Sequence, residues 1–136
     1  MIVIDASVAL KWFLQEKDSD RALRIREEHL SGLRGLNAPD LILSEVSNVL
    51  RFSPHYNSQA TKSALVSLLD IDINVVVLSR GIYELAIELA YRYEITVYDA
   101  IYVALAQDLG YDFITADEKL YQKVKGLRFV KLLSKI

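Results

Sequence analysis

Met1-Ile2-Val3-Ile4-Asp5-Ala6-Ser7 opens the chain with a β-branched apolar run, an acid and two small residues. A run with no polar interruption suits a strand covered on both faces, as in a central parallel strand, and not the alternation of a half-exposed one. Parallel neighbours need long crossovers, usually helical. Further short strands are expected at Leu36-Asn37-Ala38, at Ile73 with Val75-Val76-Val77-Leu78, at Tyr111 to Thr115 and at Leu127 to Val130. Helical patterns lie between them: Ser7 to Leu14, Asp18 to Leu30, Pro39 to Phe52, Ser58 to Leu69, Arg80 to Tyr93, Val97 to Leu109 and Asp117 to Lys123. Strands alternating with helices predict an α/β fold, a three-layer α/β/α sandwich around a mostly parallel sheet of about five strands.

The chain has 136 residues, 52% of them apolar and 25% charged, with five Gly, two Pro and no Cys. This length and the absence of any repeat or linker composition make residues 1–136 a single domain. The apolar content excludes intrinsic disorder. Lack of Cys excludes disulfides, thiolate metal sites and a thiol nucleophile, and points to a reducing, cytoplasmic setting. The apolar start meets Asp5 too early for a signal peptide, and no run is long enough to span a membrane. A net charge of −2 and a pI near 5.7 exclude a generally basic nucleic-acid binder.

Four acids stand where acids are awkward. Asp5 ends the first strand, where sites gather in open parallel sheets, although an Asp there also caps a helix. On a helical wheel at about 100° per residue, Leu41, Ile42, Val46, Val49, Leu50 and Phe52 form one arc. Glu45 falls inside it, where a lone carboxylate loses its hydration and needs an ion-pair partner or a metal. Asp99 is the one charged residue in the otherwise apolar Val97 to Ala106, with Thr96-x-x-Asp99 also resembling a capping box. Asp117 follows another strand and opens another helix, a position that complements the helix dipole.

In a doubly wound sheet the four project toward one crevice, and their repulsion raises their pKa values unless a cation neutralises them. An all-oxygen set selects a hard cation, Mg²⁺ or Mn²⁺. One or two such ions suit phosphodiester hydrolysis by an activated water. Thr115 is a candidate for orienting a water or a carboxylate, with a helix cap as its plainer role.

Met1 to Ser7, Ala38 to Leu50, Tyr98 to Ala106 and Ile114 to Leu120 together resemble the PIN-domain ribonucleases of the VapC toxin type. The resemblance implies Mg²⁺- or Mn²⁺-dependent cleavage of RNA. It further implies that Asp5, Glu45, Asp99 and Asp117 form the acidic cluster, with Asp5 and Asp99 at positions usually assigned as metal ligands. It also implies a homodimer and a small VapB-like antitoxin that covers the groove.

Alternatives stay open at this level. A non-catalytic interaction module would use the acids for a structural cation or a partner's arginine. A strand-end-Asp phosphatase would want a second Asp where Ser7 stands, and a receiver module would want a Lys nearer the Thr115 segment than Lys119. Trp12, Phe13 and Leu14 fit core better than interface. Beyond Glu118 the chain carries Lys119, Lys123, Lys125, Arg128, Lys131 and Lys135 and no acid. Such a run serves an RNA backbone only if the charges share a face.

Overall fold

A computed structural model describes Met1–Ile136 in full. Five strands form one all-parallel sheet in the order β3-β2-β1-β4-β5. The strands are β1 (Ile2–Ile4), β2 (Leu36–Pro39), β3 (Asn74–Val76), β4 (Asp112–Thr115) and β5 (Val130–Leu132). The α-helices are α1 (Ala6–Ala9), α2 (Ser19–Leu30), α3 (Leu41–Arg51), α4 (Ser58–Asp70), α5 (Arg80–Tyr93), α6 (Val97–Leu109) and α7 (Glu118–Val124). The chain steps outward from β1 through β2 to β3, then crosses back to β4 and out to β5. Because parallel crossovers are right-handed, this reversal sets helices on both faces of the sheet.

β1 is buried at all three positions, as its unbroken apolar run requires of a strand flanked on both sides by β2 and β4. α6 buries seven consecutive residues, Ala100 to Ala106, and packs over β1, β2 and β4. Alanines at 100, 104 and 106 let the helix approach the sheet closely, while Tyr102 stacks on Phe113 of β4 with ring centroids 6.2 Å apart. Gly110, at φ +72°, ends α6 in the left-handed conformation that costs a glycine little. No helix is long and apolar enough to cross a membrane.

Several boundaries differ from expectation. The first helix is four residues of α-helix followed by a 3₁₀ turn at Leu10–Trp12, not a continuous helix to Leu14. Trp12 then donates its indole N–H to the Ala22 carbonyl of α2 at 2.8 Å, and Trp12, Phe13 and Leu14 lie half-buried against the core. The last strand is Val130–Leu132, not Leu127–Val130, since main-chain bonds from Leu127 to Val124 and from Val130 to Leu127 shape a turn there. β5 is an edge strand with Lys131 exposed between two buried apolar residues, an alternation that a search for continuous apolar runs passes over.

One polar side chain is wholly enclosed in the sheet. Asn37 of β2 is 0% exposed. It donates to the Ile2 carbonyl at 3.1 Å and accepts from Asn74 at 2.7 Å, tying three strands together. Asn37→Ala is expected to destabilise the chain by about 2–3 kcal/mol, because it orphans buried partners. Asn74→Ala removes one of the two bonds and leaves Asn37 Oδ1 unpaired, so it should cost less, about 1–2 kcal/mol. Urea midpoints at unchanged m-value measure both, and equal losses would refute the ordering.

Candidate active site

The strand order reverses direction between β1 and β4, the place where open α/β sheets form a crevice beyond their strand ends. Asp5 follows β1 there, and Thr115 ends β4 there. Asp5 is 6% exposed and Thr115 wholly buried.

The Asp5 carboxylate is held by hydroxyls. Ser7 donates to Oδ1 at 2.5 Å, and Thr115 donates to Oδ2 at 2.5 Å. The Val8 amide reaches Oδ1 at 3.3 Å, so Asp5 also caps α1. Ser7 Oγ in turn accepts the Ala116 amide at 2.8 Å, and Thr115 Oγ1 accepts the Asp117 amide at 3.1 Å. Burial nonetheless raises the Asp5 pKa to about 7, with a smaller push from Asp99, because the hydroxyl and amide donors only partly replace lost hydration.

The remaining acids come from three other elements. Glu45 sits half-buried on α3 and accepts a 2.6 Å hydrogen bond from the Tyr102 hydroxyl of α6. Its partner is thus a tyrosine; no Lys or Arg pairs with it. The apolar arc of α3 is narrower than the wheel suggests. Ile42, Val46 and Leu50 are buried, but Val49 is 42% and Phe52 72% exposed, which leaves Glu45 on the margin of the buried stripe.

Asp99 lies in the first turn of α6, where its amide donates to the capping Thr96 hydroxyl at 3.0 Å. The reciprocal half of a capping box, Asp99 side chain to Thr96 amide, is not formed. The Asp99 pKa is raised, first by burial and then by the charges of Asp117 and Glu45, against partial offsets from the Thr96 side chain and, less, from Lys123. Asp117 caps α7 by accepting the Leu120 amide at 3.0 Å through Oδ1.

These mutual effects bring all four acids into one electrostatic neighbourhood. Tyr102 stands among them: burial, its bond to Glu45, and the fields of Asp5 and Asp99 all raise the pKa of its hydroxyl, which therefore stays a donor. No three of the acids converge tightly enough to clasp an ion between them directly. The donor chemistry still suits Mg²⁺, a small hard cation that keeps several waters and is usually held by one or two carboxylates with substrate phosphates. Elsewhere between α3, α5 and α6 a cavity of about 620 Å³ opens, lined by Asp40, Ser44, Tyr83, Thr96 and Tyr98 among others and by none of the four acids.

Two participants escaped the sequence reading. Ser7 entered by itself only as the residue that disqualifies a phosphatase, and Tyr102 only as part of the apolar stretch Val97 to Ala106. Spacing held a signal for each: Ser7 stands in the first turn of a helix capped by Asp5, and Tyr102 lies one turn beyond Asp99.

Comparison with known proteins gives the family. Residues 2–126 match the family model for the PIN domain. The chain belongs to the PIN domain family. It is 30% identical over 135 residues to ribonuclease VapC3 of Pyrobaculum aerophilum, covering 93% of this chain and 96% of that one. Its fold is that of a chain in a toxin–antitoxin complex from Klebsiella pneumoniae, with TM-score 0.70, 20% identity and 98% of each chain covered. It also matches VapC20 of Mycobacterium tuberculosis, a sarcin–ricin-loop-cleaving toxin, with TM-score 0.69, 17% identity, and coverage of 91% of this chain and 95% of that one.

In this PIN domain the buried Asp5 makes stability pH-dependent. Its folded pKa, about 7, lies above the ordinary 3.8, so the folded state holds the extra proton between those values. Asp5's contribution is therefore fully present below about pH 4 and lost as pH rises through about 7, at up to about 1.4 kcal/mol per pH unit. Asp5→Asn should flatten this slope in urea unfolding carried out in EDTA. An unchanged slope would show that Asp5 is ionised throughout.

Proposed function

We propose that this chain is a VapC-type endoribonuclease, the toxin of a toxin–antitoxin pair, acting in the cytoplasm as a single domain over residues 1–136. The reading is carried by the coupling of Asp99 to Asp117 and Glu45, and of Asp5 to Asp99. Four like charges at the strand ends of a parallel sheet are an unfavourable arrangement unless a cation completes it. Family membership and the ribonuclease relative support the same conclusion.

In this reading Asp5 and Asp99 hold Mg²⁺ or Mn²⁺, with Glu45 and Asp117 completing the ion's surroundings. When bound, the ion supplies the positive charge that these acids lack and acidifies a water for attack on phosphorus. The chain's own side chains prepare the site. Thr115 and Ser7 fix the Asp5 carboxylate plane, and Thr115, through the Asp117 amide, joins that orientation to the α7 turn. Tyr102, kept protonated by its surroundings, fixes Glu45 by donating to Oε1. The cap on α7 engages Asp117 Oδ1 and leaves Oδ2 without a cap bond. A small antitoxin seated over the acidic crevice would silence the enzyme.

Labelled RNA incubated with the wild-type chain and Mg²⁺ should be cleaved internally, and EDTA should abolish cleavage. Asp99→Asn should lower the rate by at least the roughly hundredfold that loss of even an outer metal partner costs. Equal cleavage by both proteins, or cleavage that persists in EDTA, would defeat the assignment. Ion binding measured by calorimetry without cleavage of any RNA would favour an interaction module instead.

A further inference from the structure

The basic run near the end of the sequence is not spread over the surface. Lys125, Arg128, Lys131 and Lys135 line a single concavity of about 310 Å³. It runs from the end of α7, through the turn, along edge strand β5 and into the 3₁₀ turn at Leu133–Lys135. Tyr121 forms part of its wall, and no Asp or Glu lines it.

The four cations are unneutralised. None takes part in any ion pair of the chain. Lys125 donates to the Gln122 side chain at 2.9 Å, and Lys131 to the Arg128 carbonyl at 2.8 Å. Lys135 sits 5.2 Å above the Tyr121 ring. The terminal Ile136 also borders the concavity, its main-chain oxygen engaged by the Arg21 guanidinium. In a chain of net charge −2, a hollow with four cations outside any ion pair and no Asp or Glu in its lining has the charge of a polyanion site.

Its position relative to the acids is set by α7. Asp117 caps the helix, Tyr121 lies one turn along it, and Lys125 closes it. Seven helical residues span about 10 Å. Parallel β5 delivers Lys135 to the same end of the sheet as Asp117. Lys123, whose charge is felt at Asp99, stands on α7 between the two. Arg128, Lys131 and Lys135 lie beyond residues 2–126, the stretch matched to the family.

We propose that this concavity is a docking site for the phosphate backbone of single-stranded RNA, holding the substrate on one side of the acidic crevice. The proposal rests on the ribonuclease reading. A partly exposed aromatic wall beside a row of cations is the ordinary equipment for tracking a single strand without reading its sequence. The four side chains are all exposed, so their replacement should leave the fold intact.

The test is binding of a labelled single-stranded RNA of about 20 nucleotides to the full chain in EDTA, followed by anisotropy against salt. Each phosphate contact on a single strand contributes about 0.7 to the slope of log K on log salt. The quadruple variant Lys125→Gln, Arg128→Gln, Lys131→Gln, Lys135→Gln should lose about 3 from that slope and bind at least about tenfold more weakly at low salt. With Mg²⁺ present, its KM should rise while kcat stays unchanged. The paired variants Lys125→Gln with Arg128→Gln, and Lys131→Gln with Lys135→Gln, should each lose about half as much and serve if the quadruple variant does not fold. An unchanged slope in a variant with wild-type melting temperature overturns the proposal. So does an unchanged RNA slope with lost binding to poly-glutamate, which would mark the face as one for an acidic polypeptide. Binding that responds as expected in a wild-type chain that cuts no RNA would uphold the docking site and defeat the ribonuclease reading alone.

Discussion

A carboxylate stripped of water at the end of the central strand is the constraint around which the rest is arranged. β1 is paired on both sides, so whatever residue follows it emerges into protein and not into solvent. An acid there loses hydration that it can recover only from donors supplied by neighbouring turns. Ser7, from the turn after β1, and Thr115, from the end of β4, supply them. The same two hydroxyls accept the Ala116 and Asp117 amides. One network therefore fixes the Asp5 carboxylate, joins the two strand ends and sets the path by which Asp117 enters α7.

Helix capping and chemistry do not compete for these acids. A cap needs a single side-chain oxygen. Asp117 caps α7 with Oδ1, and Asp5 receives the Val8 amide on Oδ1 as well. At Asp99 the arrangement differs, because Thr96 performs the cap and receives the Asp99 amide. The helix starts are thus completed while Asp117 Oδ2 carries no cap bond and the Asp5 oxygens are shared between the cap and the Ser7 and Thr115 hydroxyls. Weighing each acid as either a cap or a site residue posed a choice that the folded chain does not have to make.

The layout of the fold was legible because it follows from burial. The unbroken apolar start, the apolar helix after Thr96 and the regular alternation of strands and helices each translate directly into a doubly wound parallel sheet. Helix starts were legible for the same reason, as Asp5, Asn57, Ser79, Thr96 and Asp117 all prove to be caps. What escaped depended on long-range pairing. β5 carries one apolar–polar–apolar triplet, and nothing local distinguishes it from the preceding Leu127 to Val130. Glu45 stood out as an acid in an apolar arc, but its partner lies 57 residues away on another helix. A neutral tyrosine as the answer to a half-buried carboxylate is invisible to a search for compensating charge. Ser7 was in view and assigned nothing, because its value appears only once β4 is beside β1.

The distribution of charge follows from the same separation of roles. A chain that concentrates acids at a switch point gains a place for a hard cation and acquires a field that repels a polyanion approaching from solution. General basicity would offset that repulsion but would also neutralise the acids wherever a lysine or arginine reached them. Unpaired cations gathered on the β5 flank, one helix length from Asp117, avoid that outcome. Their attraction acts on the part of a strand that is not being cut, and the crevice retains its uncompensated negative charge. Lys123 marks the boundary: its charge reaches Asp99, yet its ammonium is fastened to the Glu94 carbonyl at 2.8 Å. Held at the C-terminus of α5, it lowers the cost of the cluster without entering an ion pair with any member of it.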